Sequence, residues 1–367
     1  MSVGLMHPVE SADVPLETPE WLDMEKFRRG QRFLLNHILQ ISVALLIAFL
    51  GTFSFSRSLQ PLVMTGSTVT PYKSFLRFLR SVRSMRSTAN TDPWVRDSES
   101  GKILTYARKV HVLLTRQCSQ KTIEELNQVC NIKKPWCPAR ELILKDFREG
   151  IQEIPGAENV YRSAYTSASK PRGVTQLEMN MTLTAFVGYL VYNPEFFGVH
   201  NASEEDLDAF CYMYRGIGFL LNIEDEGNFA NGSAAEVKQR MDDIIEYLLK
   251  PNLREHEPQW EHLSRCMITG VNYYVPLMKF EPILLFFADY LKIPMTNFRG
   301  SVGYVDLILY KLYKFLFHYL FKWQFASWAA NKLFHFGIDR AAAYSPEKLA
   351  ALEERSNNTF LKASVVL

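Results

Sequence analysis

A helical interpretation of residues 103–114 places one histidine on an apolar side, where its ring could bind a metal ion. At about 100° per residue, Arg108 and Lys109 point away from that side. A histidine in such a position is commonly a core residue with satisfied hydrogen bonds, and metal coordination is the alternative. The predicted apolar side consists of Ile103, Ala107, Val110, His111 and Leu114.

About thirty residues upstream, two cations and a hydroxyl could face that imidazole. Arg77, Arg80 and Ser81 share one side of a predicted helix through i, i+3 and i+4 spacing. A neutral histidine can hold haem iron from one side, and arginines can pair with the propionates of the porphyrin. The pattern therefore suggests a pocket for an iron porphyrin, with a solvated basic helix face as the alternative.

The composition bounds the class of protein. The chain has 367 residues, of which 47% are hydrophobic and 22% charged, so it can fold around one large core or two ordinary ones. A formal net charge of +2 supplies no general field that would attract nucleic acid. Five cysteines argue against a complete disulfide framework. Cys130 and Cys137 could pair in an oxidising lumen, but free thiols are favoured.

Other polar clusters have simpler interpretations than a catalytic site. Gly216 and Gly218 form a lone GxG inside a helical stretch, without the preceding strand that a dinucleotide site requires. Residues 224–226 are acidic but lack a regular calcium-binding loop. Residues 255–257 and 261–262 contain Glu and His, but Pro258 breaks the helix that would align them, so surface positions are predicted.

The periodicity predicts an all-α fold in a single large helical domain. Residues 1–32 are interpreted as a flexible acidic leader with a basic flank. Residues 33–55 are apolar and have an uncharged centre, which fits either a short transmembrane helix or a buried core helix. Cations are denser before this segment than after it, so a spanning helix would leave the N-terminus cytosolic.

The rest of the chain is predicted to be helical as well. Residues 56–270 form the core domain, with helices over 138–150 and 175–192, another that begins at Ser203, and one over 234–249 that ends at Pro251. Residues 271–340 are rich in aromatics with interleaved lysines, which fits a membrane interface or a core helix pair. Residues 341–367 are interpreted as a tail.

Two motifs in order resemble the family of rubber oxygenases (latex-clearing proteins) and endoplasmic-reticulum-bound MpaB-type oxygenases. The first is Arg-x-x-Arg-Ser at 77–81, and the second is Val-His-Val-Leu-Leu-Thr-Arg at 110–116. The similarity continues through residues 175–188, 202–210 and 214–225, and extends over about residues 33–265.

The resemblance implies an all-helical, membrane-associated protein of the endoplasmic reticulum that holds one b-type haem. With O₂ such a protein would cleave a C=C bond in a lipophilic, isoprenoid-like substrate. By resemblance, His111 is the proximal iron ligand, and Arg77 and Ser81 stand beside the haem. Arg80 occupies the position of a distal-side lysine, and Arg116 follows the histidine motif with a structural or propionate-binding role.

The chain also departs from the family pattern. Ser81 replaces a threonine, and Tyr214 stands where tryptophan is common. Arg80 stays protonated and cannot coordinate iron as a neutral amine does. Residues 60–76 contain no acidic side chain. These departures keep open a second function, that of a membrane-associated helical protein that binds haem or lipid without catalysis, and a third, that of a haem-free helical scaffold.

Overall fold

The computed structural model describes residues 18–55, 60, 62–154 and 173–365. These residues form helices and connecting turns without a β-strand, in a single compact domain, which confirms the predicted all-α class. In chain order the structure contains α1 (Met24–Asn36), α2 (Ile38–Thr52), α3 (Pro71–Asn90), α4 (Glu99–Ser119), α5 (Ile123–Val129), α6 (Arg140–Gly150), α7 (Gln176–Tyr192), α8 (Glu204–Leu220), α9 (Ala234–Ile244), α10 (Lys250–Leu253), α11 (Pro258–Val271), α12 (Phe280–Leu291), α13 (Thr296–Ser301), α14 (Tyr304–His318), α15 (Gln324–Ala342) and α16 (Pro346–Val365).

Local capping explains why several helices begin where the sequence predicts. At α7, the Thr175 hydroxyl accepts from the N–H of Glu178 and the glutamate carboxylate accepts from the N–H of Thr175. The same reciprocal pair, Ser203 with Asp206, starts α8. Each pair satisfies backbone groups that would otherwise lack a partner at a helix start.

The apolar segment 33–55 is divided between two helices. α1 ends at Asn36, His37 leaves the helical region at φ −126° and ψ 27°, and α2 starts at Ile38 at 85° to α1. Nearly all of α2, from Ile38 to Gly51, is buried within the protein. Among the described residues no single helix has the length and hydropathy of a membrane span, although α1 and α2 pass that test as a bent pair.

Residues 18–32 belong to the folded domain, so the predicted leader is wrong for this part; residues 1–17 lie outside the described residues. The basic flank lies within α1, which packs along α8. Gly30 allows this approach, because a Cβ there would lie 2.2 Å from the carbonyl oxygen of Ala209. Before α1, the ring of Trp21 packs edge-on against the ring of Tyr212. The guanidinium of Arg215 lies 3.9 Å from the ring centroid of Trp21.

One predicted boundary in the C-terminal half is wrong. Helix 234–249 does not end at Pro251, because a π-helical turn, Ile245–Leu249, leads directly into α10. Proline is tolerated there, since the first turn of a helix needs no intrahelical N–H bond. The predicted tail contains the helix α16, whose Ser356 hydroxyl accepts from the backbone N–H of Tyr72 at 3.1 Å. The tail therefore packs against the start of α3.

Candidate functional site

The two helices that carry the predicted site residues are fixed at their connection. The hydroxyls of Thr91 and Ser100 are 2.7 Å apart, and the Ser98 hydroxyl caps α4 by accepting from the N–H of Gly101. The side chain of Gln31 on α1 donates to the carbonyls of Thr88 and Thr91. These contacts hold the end of α3 and the start of α4 in place, so Arg77 and His111 are carried by positioned helices.

The buried side of α4 differs from the one predicted. Its most buried positions include Leu104, Arg108 and Val112, at a spacing of four residues. Arg108 and Lys109 both point away from the predicted apolar side, but Arg108 is 3% exposed and therefore buried, whereas Lys109 is exposed. The predicted apolar side, which includes His111, lies next to this face and keeps accessible surface. A helix covered on two adjacent sides buries residues that a one-sided pattern assigns to solvent.

His111 is not a core histidine with satisfied hydrogen bonds. Its Nδ1 is buried without a partner, and neither ring nitrogen bonds to a described residue. Burial, followed by the positive charge of Arg77, lowers the pKa of this imidazole to about 4. The ring is therefore neutral at pH 7, which is the form that binds metal ions. This meets one requirement of the predicted iron ligand.

Arg77 on α3 is the cation that acts on this imidazole. Burial, followed by the positive charge of Arg80, lowers the pKa of Arg77 to about 10. Arg77 forms no ion pair or hydrogen bond with the described residues. The side chains of Arg77 and His111 are partly exposed to solvent. Burial is nevertheless the largest cause of the lowered pKa of each group. A largely buried guanidinium without a partner favours an anionic ligand.

The other two members of the predicted cluster point elsewhere. Arg80 is exposed. Ser81 lines a recess between α2, α3, α11 and α15, in which the buried Ser42 hydroxyl lacks a partner. This cavity has a volume of about 30 Å³, room for about two water molecules. Because Arg77, Arg80 and Ser81 extend over about 100° of the helix circumference, neighbouring elements separate them.

Arg116 is exposed in the last turn of α4. Five residues from His111, it lies on another side of the helix. A cation in the last turn interacts favourably with the helix dipole. Of the two roles that the resemblance implies for Arg116, structural or propionate-binding, this position favours the structural role.

A series of aromatic rings, which the sequence did not reveal, connects this region with α8. Tyr214 is buried, its hydroxyl has no partner among the described residues, and its ring centroid lies 6.0 Å from that of Phe186 on α7. Phe186 contacts Phe49 on α2, and Phe49 contacts Phe78, the neighbour of Arg77. The burial of a tyrosine without a hydroxyl partner has no signal in the sequence, because the partners lie on other helices.

The second histidine and glutamate cluster is buried, so the predicted surface positions of His256, Glu261 and His262 are wrong. Nδ1 of His262 accepts from the backbone N–H of Trp136 at 2.9 Å, and its Nε2 donates to the carbonyl of Val69 at 3.1 Å. Glu255 and Glu257 are exposed, and Pro258 begins α11, as its helix-breaking role predicts.

A buried ion pair lies beside His262. Oε1 of Glu261 accepts from Nε of Arg265 at 2.7 Å and from the N–H of Ala139 at 3.1 Å. Arg265 also pairs with Glu281 at 2.7 Å. These partners all belong to the chain and hold the segment before α6 against α11, which is a structural role. Within the part of the chain that the structure describes, no group of three His, Cys, Asp or Glu is placed to hold a metal ion.

The cysteines bear out the prediction of free thiols. Cys130 and Cys137 are not bonded to each other, and each sulfur lies near a backbone carbonyl, that of Gln60 and that of Pro135. Burial raises the pKa of both thiols. They are therefore protonated at neutral pH and are poor nucleophiles.

Comparisons of the chain with protein-family models, with curated proteins and with solved structures find no match. The resemblance to the rubber oxygenases therefore rests on the sequence motifs at 77–81 and 110–116 and on the segments that follow them.

Proposed function

We propose that the chain binds one b-type haem beside α3 and α4 and uses O₂ to cleave a C=C bond in a lipophilic, isoprenoid-like substrate. One observation carries the proposal: the neutral imidazole of His111, whose buried Nδ1 has no hydrogen-bond partner, lies within the electrostatic reach of Arg77, a guanidinium without a partner among the described residues. We also place the protein at a membrane, that of the endoplasmic reticulum, where such substrates dissolve.

The unpartnered groups fit the two polar features of a haem. An imidazole lone pair can hold the iron, and a guanidinium can pair with a propionate carboxylate. A buried cation and a buried ring nitrogen without partners each cost stability, and a single ligand that contacts both would offset that cost. Apolar rings such as Phe78, next to Arg77 in sequence, can cover a porphyrin face and exclude water.

The chain's own residues would position the reaction. His111 would hold the iron through Nε2, because Nδ1 is buried, and its pKa of about 4 keeps the lone pair free at neutral pH. Arg77 would orient the group by binding its carboxylate. Ser81, which the resemblance also places beside the haem, lines the separate cavity between α2, α3, α11 and α15 and takes no part in this arrangement. The haem, when bound, would supply O₂ activation, and the two oxygen atoms would become the two carbonyl oxygens of the products.

One observation favours the second function, haem binding without catalysis. Arg80, which stands where the family has a distal-side lysine, is exposed, so its guanidinium faces solvent. A protein that lacks a polar group on the substrate side could still hold haem through His111.

A haem titration tests the proposal. Purified full-length protein is titrated with haemin and followed by its Soret band, beside His111→Ala and a control, His335→Ala, on α15. We expect the wild type and His335→Ala to bind one haem each, and His111→Ala to lose the spectrum of imidazole-coordinated iron. A wild type without a Soret band, or a His111→Ala variant with an unchanged spectrum, would contradict the proposal.

A product assay separates the two functions. Reduced, haem-loaded protein is mixed with O₂ and a polyprenyl compound, and carbonyl products are identified by mass spectrometry. Aldehydes or ketones from cleaved double bonds are expected for the oxygenase. Stable haem binding without such products would indicate the non-catalytic function.

A further inference from the structure

The turn between α14 and α15 carries an exposed aromatic surface. Five rings there are between 53% and 77% exposed, although large aromatic side chains are usually well buried in folded proteins. We define the aromatic surface by these residues: Phe315, Tyr319, Trp323, Phe325 and Trp328.

Both helices are apolar on the outer as well as the inner side. The inner side of α14 includes Tyr313 and Phe317, and that of α15 includes Phe334 and Ile338, all buried. On the outer side, exposed residues recur every three or four positions. This side consists of Tyr304, Ile308, Lys311 and Phe315 on α14, and of Phe325, Trp328, Lys332 and Phe336 on α15. A helix at a water-exposed surface normally has one apolar side, so the second one indicates a further contact.

The exposed rings include two stacked pairs, one on each side of the turn. The centroids of Phe315 and Tyr319 are 6.4 Å apart, and those of Phe325 and Trp328 are 5.8 Å apart, both in stacked arrangements. The ammonium of Lys322 lies 5.8 Å from the ring centroid of Tyr319. Paired exposed rings close together in the sequence differ from the isolated apolar residues that occur on every protein surface, and such groups mark interaction sites.

The charges around the patch are mostly positive. Residues 299–340 contain six basic and two acidic side chains, whereas the whole chain has a net charge of +2. Both acids are paired, Asp306 with Lys279 at 2.7 Å and Asp339 with Arg86 at 2.5 Å. Three lysines are exposed and form no ion pair with the described residues; they are Lys311, Lys322 and Lys332.

We propose that the aromatic surface docks the protein on one face of an anionic phospholipid bilayer. The rings lie at the level of the headgroups, and the three lysines contact lipid phosphates and carboxylates. A second copy of the chain fits less well, because a symmetric dimer would bring the same positive patches together. The other apolar helix, α2, is covered by protein and offers lipid little surface.

This inference names the membrane contact of the proposed function and rests on it only for the location at a membrane. Haem binding and vesicle binding have separate readouts, so either can fail without the other. The Soret titration is therefore repeated on the surface variants, which are expected to bind haem as the wild type does.

Vesicle flotation tests the docking. Full-length protein is mixed with phosphatidylcholine vesicles with or without phosphatidylserine. Two triple variants are compared with the wild type: Trp323→Ser/Phe325→Ser/Trp328→Ser, and Lys311→Gln/Lys322→Gln/Lys332→Gln. The matched control is Tyr106→Ser/Tyr247→Ser, which removes exposed rings from other parts of the surface.

The expected results follow from the two kinds of contact. The wild type and the tyrosine control should float with phosphatidylserine vesicles, and the aromatic variant should not. The lysine variant should lose about a hundredfold in affinity at low salt, from roughly fivefold per lysine. Added salt should weaken wild-type binding. Circular dichroism and thermal unfolding show that each variant is folded.

Three results would overturn the inference. The first is a wild type that does not bind phosphatidylserine vesicles. The second is an aromatic variant that binds them as well as the wild type does. The third is concentration-dependent self-association without vesicles that the aromatic variant abolishes, since the occupant would then be a second copy of the chain.

Discussion

The side-chain amide of Asn331 donates to Oε1 of Gln40 at 2.9 Å, and its Oδ1 accepts from the backbone N–H of Leu39 at 2.9 Å. Gln40 in turn donates to the hydroxyl of Ser327 at 2.8 Å. The network joins α15 to the first turn of α2, where the chain bends at His37 and leaves backbone N–H groups without helical partners. Polar partners inside the apolar segment thus identify α2 as a helix that docks onto its own protein.

Replacing Asn331 with leucine should destabilise the fold. Asn331→Leu leaves the backbone N–H of Leu39 and the side-chain Oε1 of Gln40 without these partners. The expected cost is roughly 2–4 kcal/mol in the free energy of unfolding. Urea unfolding measures the loss. Asn358→Leu, an exposed position on α16, is the control and should change stability little. An Asn331→Leu variant as stable as that control would show that the network does not stabilise the bend.

Arg77 should cost the haem-free protein stability and strengthen haem binding. Arg77→Met removes an unpaired cation from largely buried surroundings while it keeps most of the side-chain volume, so the melting temperature of the haem-free protein should rise. Haem affinity should fall by about ten- to a hundredfold, the usual strength of a hydrogen bond to a charged group.

The two measurements on Arg77→Met are thermal unfolding and the Soret titration. Arg83→Met, exposed on the same helix, is the control and should change neither. A variant with lower stability and unchanged haem affinity would show that Arg77 is a structural cation.

Acid should weaken the fold through its buried histidines. Burial lowers the pKa of His37, His111 and His256 to about 4, whereas an unfolded histidine has a pKa near 6.5. Below pH 6.5 the unfolded chain takes up protons that the folded protein does not, so stability falls as the pH drops from 6.5 to 4. Below pH 4 both states are protonated and this contribution stays constant.

Urea unfolding across this pH range measures the effect. His256→Gln should reduce the slope, because it removes one of the three groups. The carboxylates are the same in the wild type and in His256→Gln, so the difference between the two pH series reports on His256 alone. Equal loss of stability in both proteins between pH 6.5 and 4 would contradict the prediction.

The ion pair of Glu261 and Arg265 should be costly to break. Arg265→Met leaves the buried Glu261 carboxylate without its cation, which typically costs about 3–5 kcal/mol. Burial already raises the pKa of Glu261 against the opposing charge of Arg265, and the substitution should raise it further. The loss should therefore be larger at pH 7.5, where the carboxylate must ionise, than at pH 4.5.

Urea unfolding of Arg265→Met at the two pH values gives this comparison. Arg299→Met, an exposed arginine on α13, is the control. Adding Glu261→Gln should restore part of the stability at pH 7.5. An equal loss at both pH values would point to the lost packing of Arg265 on the ring of Phe280, whose centroid lies 4.0 Å away.

Local signals predicted the helices well and the boundaries between solvent and core less well. The capping residues Thr175 and Ser203 act within one turn, so the starts of α7 and α8 follow from adjacent residues. The bend at His37 has no local breaker such as proline, and depends on Asn331 nearly three hundred residues away. Pro251 is a strong local breaker, but a π-helical turn accommodates it.

The candidate site shows the same division between features set by neighbouring residues and features set by contacts with distant segments. The sequence by itself determined the all-α class and placed His111 and Arg77 on two successive helices, because periodicity and spacing are properties of one helix. Only the tertiary structure decided that Arg77 lies beside His111 while Arg80 faces solvent, that Arg108 is buried, and that His262 lies in the core. Burial depends on which sides of a helix distant segments cover, and no pattern within that helix records it.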